Sequence, residues 1–232
     1  MRTEDLEHAR HLRIFEGVEE GQVANLLRGA FLQRFPAHVE LVRENEPVDF
    51  LHLIVEGQVE LFSAYRDRET TVGVLGPGQS FIAAAVLLDR RYLKSARTLT
   101  PTRVLMMPAG SVRACFAQDA AFARGLAIEL AVSYCYLVKE LKNQKLRSNL
   151  ERLANWILVR DAETDSNGKF DLPFDKKVLA ARLGMAPEVL SRSFAALAPY
   201  HVTVHGARIE FSDGEALRKL AQPSETIDDP VA

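Results

Sequence analysis

The sequence predicts an α+β chain in three parts: an N-terminal antiparallel β-roll of the jelly-roll type over residues 1–110, a long helix over 111–147, and a C-terminal winged helix-turn-helix over 148–232. Three observations predict it. Short apolar runs alternate with turn residues from Phe31 to about Met107. A proline-free helical run follows from Ser111 to Arg147. The stretch from Asp175 to Phe211 then reads helix, glycine-containing turn, helix and two short strands.

Residues 3–30 have a helical pattern, with Leu12, Phe15, Val18, Leu26 and Leu27 as apolar marks. The runs "VELV", "FLHLIV", "VELFSAY", "TVGVLG" and "RVLMM" follow. Pro36, Asn45, Pro47, Gly57, Gly73, Gly76, Pro77, Gly78, Pro101 and Pro108 separate them. Strands at this spacing suit an antiparallel sandwich or roll. "FIAAAVLL", after Gly78, reads as a helical insert.

In the long helix Leu130, Tyr134, Leu137 and Leu141 are spaced 4, 3, 4, as in a coiled-coil seam. The same spacing would suit a helix that covers the roll. The segment is too long for one face of a small roll to bury, which favours a dimer seam. Ser148 and Glu151 form the capping-box pattern, so a new helix, "NLERLANWILVRDA", starts there and the boundary falls near 148. "ETDSNGKFDLP" reads as a loop. Asp175 can cap "KKVLAARL", Gly184 ends that helix, and Pro187 suits the first turn of the next. "HVTVHGARIEF" supplies the wing.

Composition narrows the function. The 232 residues are 47% hydrophobic and carry 29 Lys and Arg against 31 Asp and Glu, so any affinity for nucleic acid must come from a local patch. No stretch is expected to be long and apolar enough to span a bilayer. The N-terminal "MRTEDLEHARHLRIF" has no signal-peptide core. Cys115 and Cys135 form no C-x-x-C and are expected to be small buried hydrophobes, with a thiol sensor as the alternative. A reduced, cytoplasmic protein with no membrane partner is the expectation. No nucleophile elbow, H-E-x-x-H or triad is present, and "GPGQSF" lacks the Gly-Lys-Ser/Thr of a phosphate loop, so the chain is not expected to be an enzyme. His38 and His52 alone make no cupin-type cluster. His201 and His205, read as one strand, would stand about 13 Å apart, too far to share a metal. His8 and His11, at i and i+3, are geometrically able to share one. No metal site is assigned.

The chemistry concentrates in "LGMAPEVLSRSFAAL". On a helix from Pro187, Leu190, Phe194 and Leu197 share one side, while Glu188, Ser191, Arg192 and Ala195 share the other. The second side holds a carboxylate, a hydroxyl and a guanidinium near the N-terminus, the end that enters the major groove in this motif. Arg suits guanine, Glu accepts from cytosine and Ser serves either. An alternative is that Glu188 complements the helix dipole and pairs with Arg192 at i+4. From Lys169 to Glu210 six basic residues face four acidic ones, a net +2 against −2 for the whole chain. Lys176 and Lys177 are the candidate phosphate contacts.

The order of roll, long helix and winged helix-turn-helix resembles the cyclic-AMP receptor protein / fumarate-nitrate regulator (CRP/FNR) superfamily of bacterial transcription factors, over nearly the whole chain. "FLHLIVEGQVELF" is similar to its roll, "SNLERLANWIL" to the start of its DNA-binding domain, and "LGMAPEVLSRSFAAL" to its recognition unit. Glu188, Ser191 and Arg192 match the fumarate-nitrate branch, which implies TTGAT-like half-sites in an inverted repeat. Ala186 departs from the Ser or Thr cap frequent there. The resemblance implies a homodimer, double-stranded DNA and RNA polymerase as partners, and an effector that alters the seam and the junction at Ser148.

By resemblance the effector pocket is Ala83, Lys94, Ser95, Tyr134, Leu137 and Val138. Nucleotide-binding members open the short roll helix with Gly-Glu and hold the phosphate with Arg-Ser or Arg-Thr. Here Ile82-Ala83 and Lys94-Ser95 stand at those positions, and Leu137 and Val138 replace polar base contacts. Cyclic nucleotides are therefore disfavoured. An iron–sulfur cluster usually needs four ligands, and two cysteines do not supply them. Haem enters only by analogy with haem-responsive relatives, so the cofactor is unassigned. The alternative function is a small-molecule-binding roll that acts as a regulatory subunit through protein partners. Such a subunit needs no Glu188/Ser191/Arg192 face.

Overall fold

The computed structural model describes residues 12–229. The chain divides into two compact units, Met1–Ser133 and Tyr134–Ala232. The first begins with a 3-10 turn, Arg13–Phe15, and helix α1, Glu20–Arg28. One continuous helix over 3–30 is not what forms: Gly17 takes φ +73° and breaks it. Residues 3–11, with His8 and His11, lie outside the described residues.

Strands β1 (Phe31–Phe35), β2 (Glu40–Val42), β3 (Phe50–Glu56), β4 (Val59–Tyr65), β5 (Arg68–Leu75) and β6 (Ser80–Phe81) lead to the short helix α2 (Ala83–Leu88). Strands β7 (Ser95–Thr98) and β8 (Thr102–Pro108) follow. They form two antiparallel four-stranded sheets, β1-β8-β3-β6 and β2-β7-β4-β5. Val42, Ile54, Val59, Leu61, Phe81, Ala96 and Val104 fill the space between the sheets. The first sheet is buried on its other face too. Leu51, Leu53, Val55, Leu105 and Met107 pack there with Ile14, Leu26, Val112, Phe122 and Leu126. That is why "FLHLIV" is a continuous apolar run rather than an alternating one.

Two polar groups in this unit are buried under different terms. The Glu60 carboxylate accepts from the Thr71 hydroxyl at 2.5 Å and from Arg97 Nε at 2.7 Å. Arg97 also donates to Glu69 and lies 4.2 Å from the Phe62 ring centroid. His52, 2% exposed, stacks on Phe81 at 4.9 Å, and burial pushes its imidazole down to about 4.

The run predicted as one helix over 111–147 is two: α3, Ala109–Gln118, and α4, Ala120–Leu146. Asp119 separates them with φ −118° and ψ 112°. Its carboxylate accepts the Phe122 amide at 2.8 Å and the Glu19 amide at 3.1 Å, so it starts α4 as an N-cap does. Cys115 of α3 is buried and its thiol is pushed up to about 11, mainly by burial; Cys135 of α4, expected to be buried, is exposed. The expectation that no segment has the length and composition to cross a bilayer fails for α4. Its mean hydropathy reaches 1.4, because only Arg124 and Glu129 are charged between Ala120 and Val138. Phe122 and Leu126 lie in the protein core, and Glu129 accepts from the Ser80 amide at 3.2 Å and also from the Ser80 hydroxyl.

In the second unit the Ser148–Glu151 capping box forms as read, with Ser148 N–H to Glu151 Oε2 at 2.7 Å, and opens α5, Asn149–Thr164. The predicted loop contains strand β9, Lys169–Asp171. It joins β10 (Val202–His205) and β11 (Arg208–Phe211) in a sheet ordered β10-β11-β9. His201 precedes β10 as a left-handed residue, so the two wing histidines do not share a strand. Helices α6 (Lys176–Arg182), α7 (Pro187–Ala196), α8 (Gly214–Ala221) and α9 (Glu225–Asp228) complete the unit. Leu153, Ile157, Leu179, Leu190, Phe194, Ile209 and Leu217 form its core, with Trp156 packed against them.

Arg152 of α5 fastens this unit together. It is 7% exposed, and it donates to Leu183 O at 2.8 Å, Arg147 O at 2.7 Å and Gln144 O at 3.3 Å, and to Asn149 Oδ1. Helix ends leave carbonyls unpaired, and one guanidinium serves those of α4 and α6 together. Arg152→Ala should destabilise this unit by about 2–4 kcal/mol, since several carbonyls lose their donor at once. Urea unfolding followed by Trp156 fluorescence measures it; a change below about 0.5 kcal/mol contradicts the role.

His52 gives a pH signature. The folded roll holds the imidazole neutral, whereas the unfolded chain protonates it near pH 6.5. The unfolded state therefore binds the extra proton as pH falls. Stability is intact above about pH 6.5 and is lost toward pH 4, by about 2 kcal/mol between pH 7 and pH 5. His52→Leu should remove that slope in urea titrations of the roll, and an unchanged slope would refute it.

Candidate nucleic-acid interface

The second unit builds one polar surface from local rules. Gly184 takes φ +65° in the turn after α6, and Ala186, at φ −71° and ψ 153°, is the N-cap of α7 with no side-chain cap bond. Pro187 occupies the first turn, where a missing N–H costs nothing. Leu190, Phe194 and Leu197 are buried, and Glu188, Ser191, Arg192 and Ala195 are exposed. The two faces read from the sequence are therefore the two faces in the fold. Among the described residues no ion pair joins Glu188 to Arg192, so the i+4 pairing of the alternative reading is not made.

Lys176 and Lys177 are exposed in the first turn of α6, the positive end of its dipole. Asp175 stands at the N-cap but makes no side-chain cap bond. Two lysines there oppose the helix, each by a few tenths of a kcal/mol. They suit an anion outside the protein. Lys176 Nζ lies 5.7 Å from the Phe194 ring centroid. A groove of about 460 Å³ runs between α7 and the wing, with Ser191, Ala195, Thr203 and His205 on its walls. Thr203 was not singled out from the sequence and His205 was weighed only as a metal ligand, because alternation marks a strand's outward residues without saying what they border.

The residues assigned to an effector divide between the units. In the first, Ile82 is the N-cap of α2 at φ +71° and ψ 13°. A β-branched residue is rarely left-handed, and the strain costs about 1–2 kcal/mol. Ile82 is 9% exposed and packs in the core between the sheets, which offsets the strain. Ala83 beside it is buried. Burial lowers the Lys94 ammonium below its ordinary value. The Ser95 hydroxyl is taken by the Glu44 amide at 2.9 Å.

In the second unit Tyr134, Leu137, Val138 and Leu141 are all exposed, at 68%, 46%, 38% and 55%. Leu130, predicted in the same seam, belongs to the first unit and packs partly buried against its helical core. Part of its side chain stays accessible, so this packing is compatible with a place in the seam. Among the described residues no three His, Cys, Asp or Glu side chains gather as a metal site.

Comparisons with known proteins agree with this architecture. A cyclic nucleotide-binding domain matches residues 32–119, and a Crp-like helix-turn-helix domain matches residues 151–220. The CRP-like cAMP-activated global transcriptional regulator of Mycobacterium tuberculosis is 24% identical, over 90% of this chain and 96% of that protein. A regulatory protein of Silicibacter pomeroyi DSS-3 is 27% identical with a TM-score of 0.59, over 94% of this chain and all of the other. FixK2 of Bradyrhizobium japonicum, at 20% identity, has the same fold with a TM-score of 0.72, over 84% and 98%. With a roll, a helix-turn-helix and relatives that are transcription regulators rather than enzymes, the chain belongs to the CRP/FNR superfamily and is a DNA-binding transcription regulator of that type.

Proposed function

We propose that this regulator is a cytoplasmic homodimer that reads an inverted repeat with TTGAT-like half-sites and answers to an effector other than a cyclic nucleotide. The observation that carries the reading is the exposed face of α7, where Glu188, Ser191 and Arg192 stand together with no ion pair joining Glu188 and Arg192 among the described residues. Arg192 takes the guanine, Glu188 and Ser191 its neighbours, and Lys176 and Lys177 the phosphates. RNA polymerase is the protein partner that the family suggests.

Dimerisation is supported by the exposed strip of Tyr134, Leu137 and Leu141. A contiguous apolar strip of this kind favours a partner surface. The effector reading is supported by the residue types at the positions the resemblance assigns: Ala83 offers no carboxylate, Ser95 is engaged by an amide, and Leu137 and Val138 are apolar.

Two recognition helices on a two-fold dimer meet successive major grooves about 34 Å apart. Arg192→Ala should cost about 1–3 kcal/mol per half-site and relax the preference at one base pair. Binding-site selection on both proteins decides it, and an unchanged guanine preference removes Arg192 from base reading. Leu137→Glu and Leu141→Glu place like charges face to face in the seam. Sedimentation should find monomers, and two variants that stay dimeric at micromolar concentration would refute the seam. Calorimetry with cyclic AMP and cyclic GMP should detect no binding that raises DNA affinity; micromolar binding with such an effect overturns the effector reading.

A further inference from the structure

A row of side chains crosses the first sheet of the roll. Phe31 of β1 pairs with Met106 of β8, Met106 with His52 of β3, and His52 with Phe81 of β6. Register partners share a face of the sheet. Phe81 lies in the core between the two sheets and Met106 packs against that core, so the row is on the face toward the second sheet. It grades from wet to dry. Phe31 is 53% exposed, Met106 and the neighbouring Phe50 are half-buried, and His52 and Phe81 are each 2% exposed. The rings follow one another inward. Phe31 meets Phe50 edge-on at 6.1 Å, Phe50 meets His52 edge-on at 6.3 Å, and His52 stacks on Phe81.

At the dry end neither Nδ1 nor Nε2 of His52 has a hydrogen-bond partner among the described residues. An unpaired buried polar group is costly, and packing alone would be served better by an apolar side chain. A neutral imidazole holds out one donor and one acceptor. Phe31, Met106, Phe50 and Phe81 carry no charge, so an ion entering here would lose its water without gaining a counter-charge. Aromatic rings favour a flat guest, in offset or edge-on contact. Met106 stands in the row between Phe31 and His52, and an unbranched thioether chain is the kind that repacks around a guest.

We propose that this row is a binding site for a small uncharged aromatic molecule bearing one hydroxyl or N–H group, which lies against Phe31 and Phe50 and hydrogen-bonds His52 once the Met106 side chain has moved aside. None of these residues is among those that the resemblance assigns to an effector. The site therefore stands apart from the effector reading and from the DNA reading.

Phenol and toluene are the probes, because they match in shape and only phenol carries a hydroxyl. On the full-length protein, nitrogen NMR of isotope-labelled histidines should show the His52 ring resonances shifting as millimolar phenol is added. Phenol should bind about tenfold more tightly than toluene, the ratio that one hydrogen bond supplies. His52→Leu should bring that ratio to about one while the slot still admits either ring. Met106→Ala, which opens the row, should strengthen phenol binding severalfold. If circular dichroism shows that His52→Leu does not fold, Met106→Ile carries the comparison: its branched, stiffer chain should weaken phenol binding severalfold and leave the His52 nitrogens in place. Equal affinities for phenol and toluene in wild type overturn the site. So do His52 resonances that stay fixed with about 10 mM phenol, whether because nothing binds or because a resident water holds the imidazole.

Discussion

The second unit depends on one buried guanidinium. Arg152 answers the carbonyls at the end of α4 and the one at Leu183, beside the helix-turn-helix turn. Those acceptors lie at the ends of two helices, and no apolar side chain could satisfy them. Burial lowers the Arg152 pKa, and nearby Glu140 opposes that shift. The orientation of α7 follows from this constraint. Its turn is held through Leu183, its buried side by Leu190 and Phe194, and its outer face is left to polar groups.

The first unit follows a different logic. One sheet lines both cores, so β3 is buried on both faces. Polar groups are admitted there only when paired, as Glu60 is by Thr71 and Arg97, or neutral, as His52 is against Phe81. Helix α4 begins in that core with Phe122 and Leu126 and becomes exposed and apolar beyond it. A helix that is core at one end and bare at the other suits the dimer seam proposed for its exposed stretch.

Much of this was legible in the sequence where the physics is local. The capping box at Ser148, the Gly184 turn, Pro187 in the first turn and the two faces of α7 all depend on residues within four positions of each other. The break at Asp119 was also local, an aspartate able to cap the amide of Phe122, but the absence of proline and the apolar run concealed it. Arg152 was not legible. Its partners lie up to 31 residues away, and on a helical projection it reads as a solvated charge. Spacing placed Leu130 in the seam, but it could not show that the same side chain also packs, partly buried, on the core of its own unit.

Ile82 separates the shape of a loop from its chemistry. Its backbone keeps a turn that glycine would adopt freely, and the surroundings impose it: β6 before it, α2 after it, and a packed core beneath. Where a conformation is held by neighbours, glycine is not needed to reach it, and here the side chain serves core packing instead. The entrance to the short helix therefore behaves as a fixed frame whose backbone outlasts a change in the residues that line it.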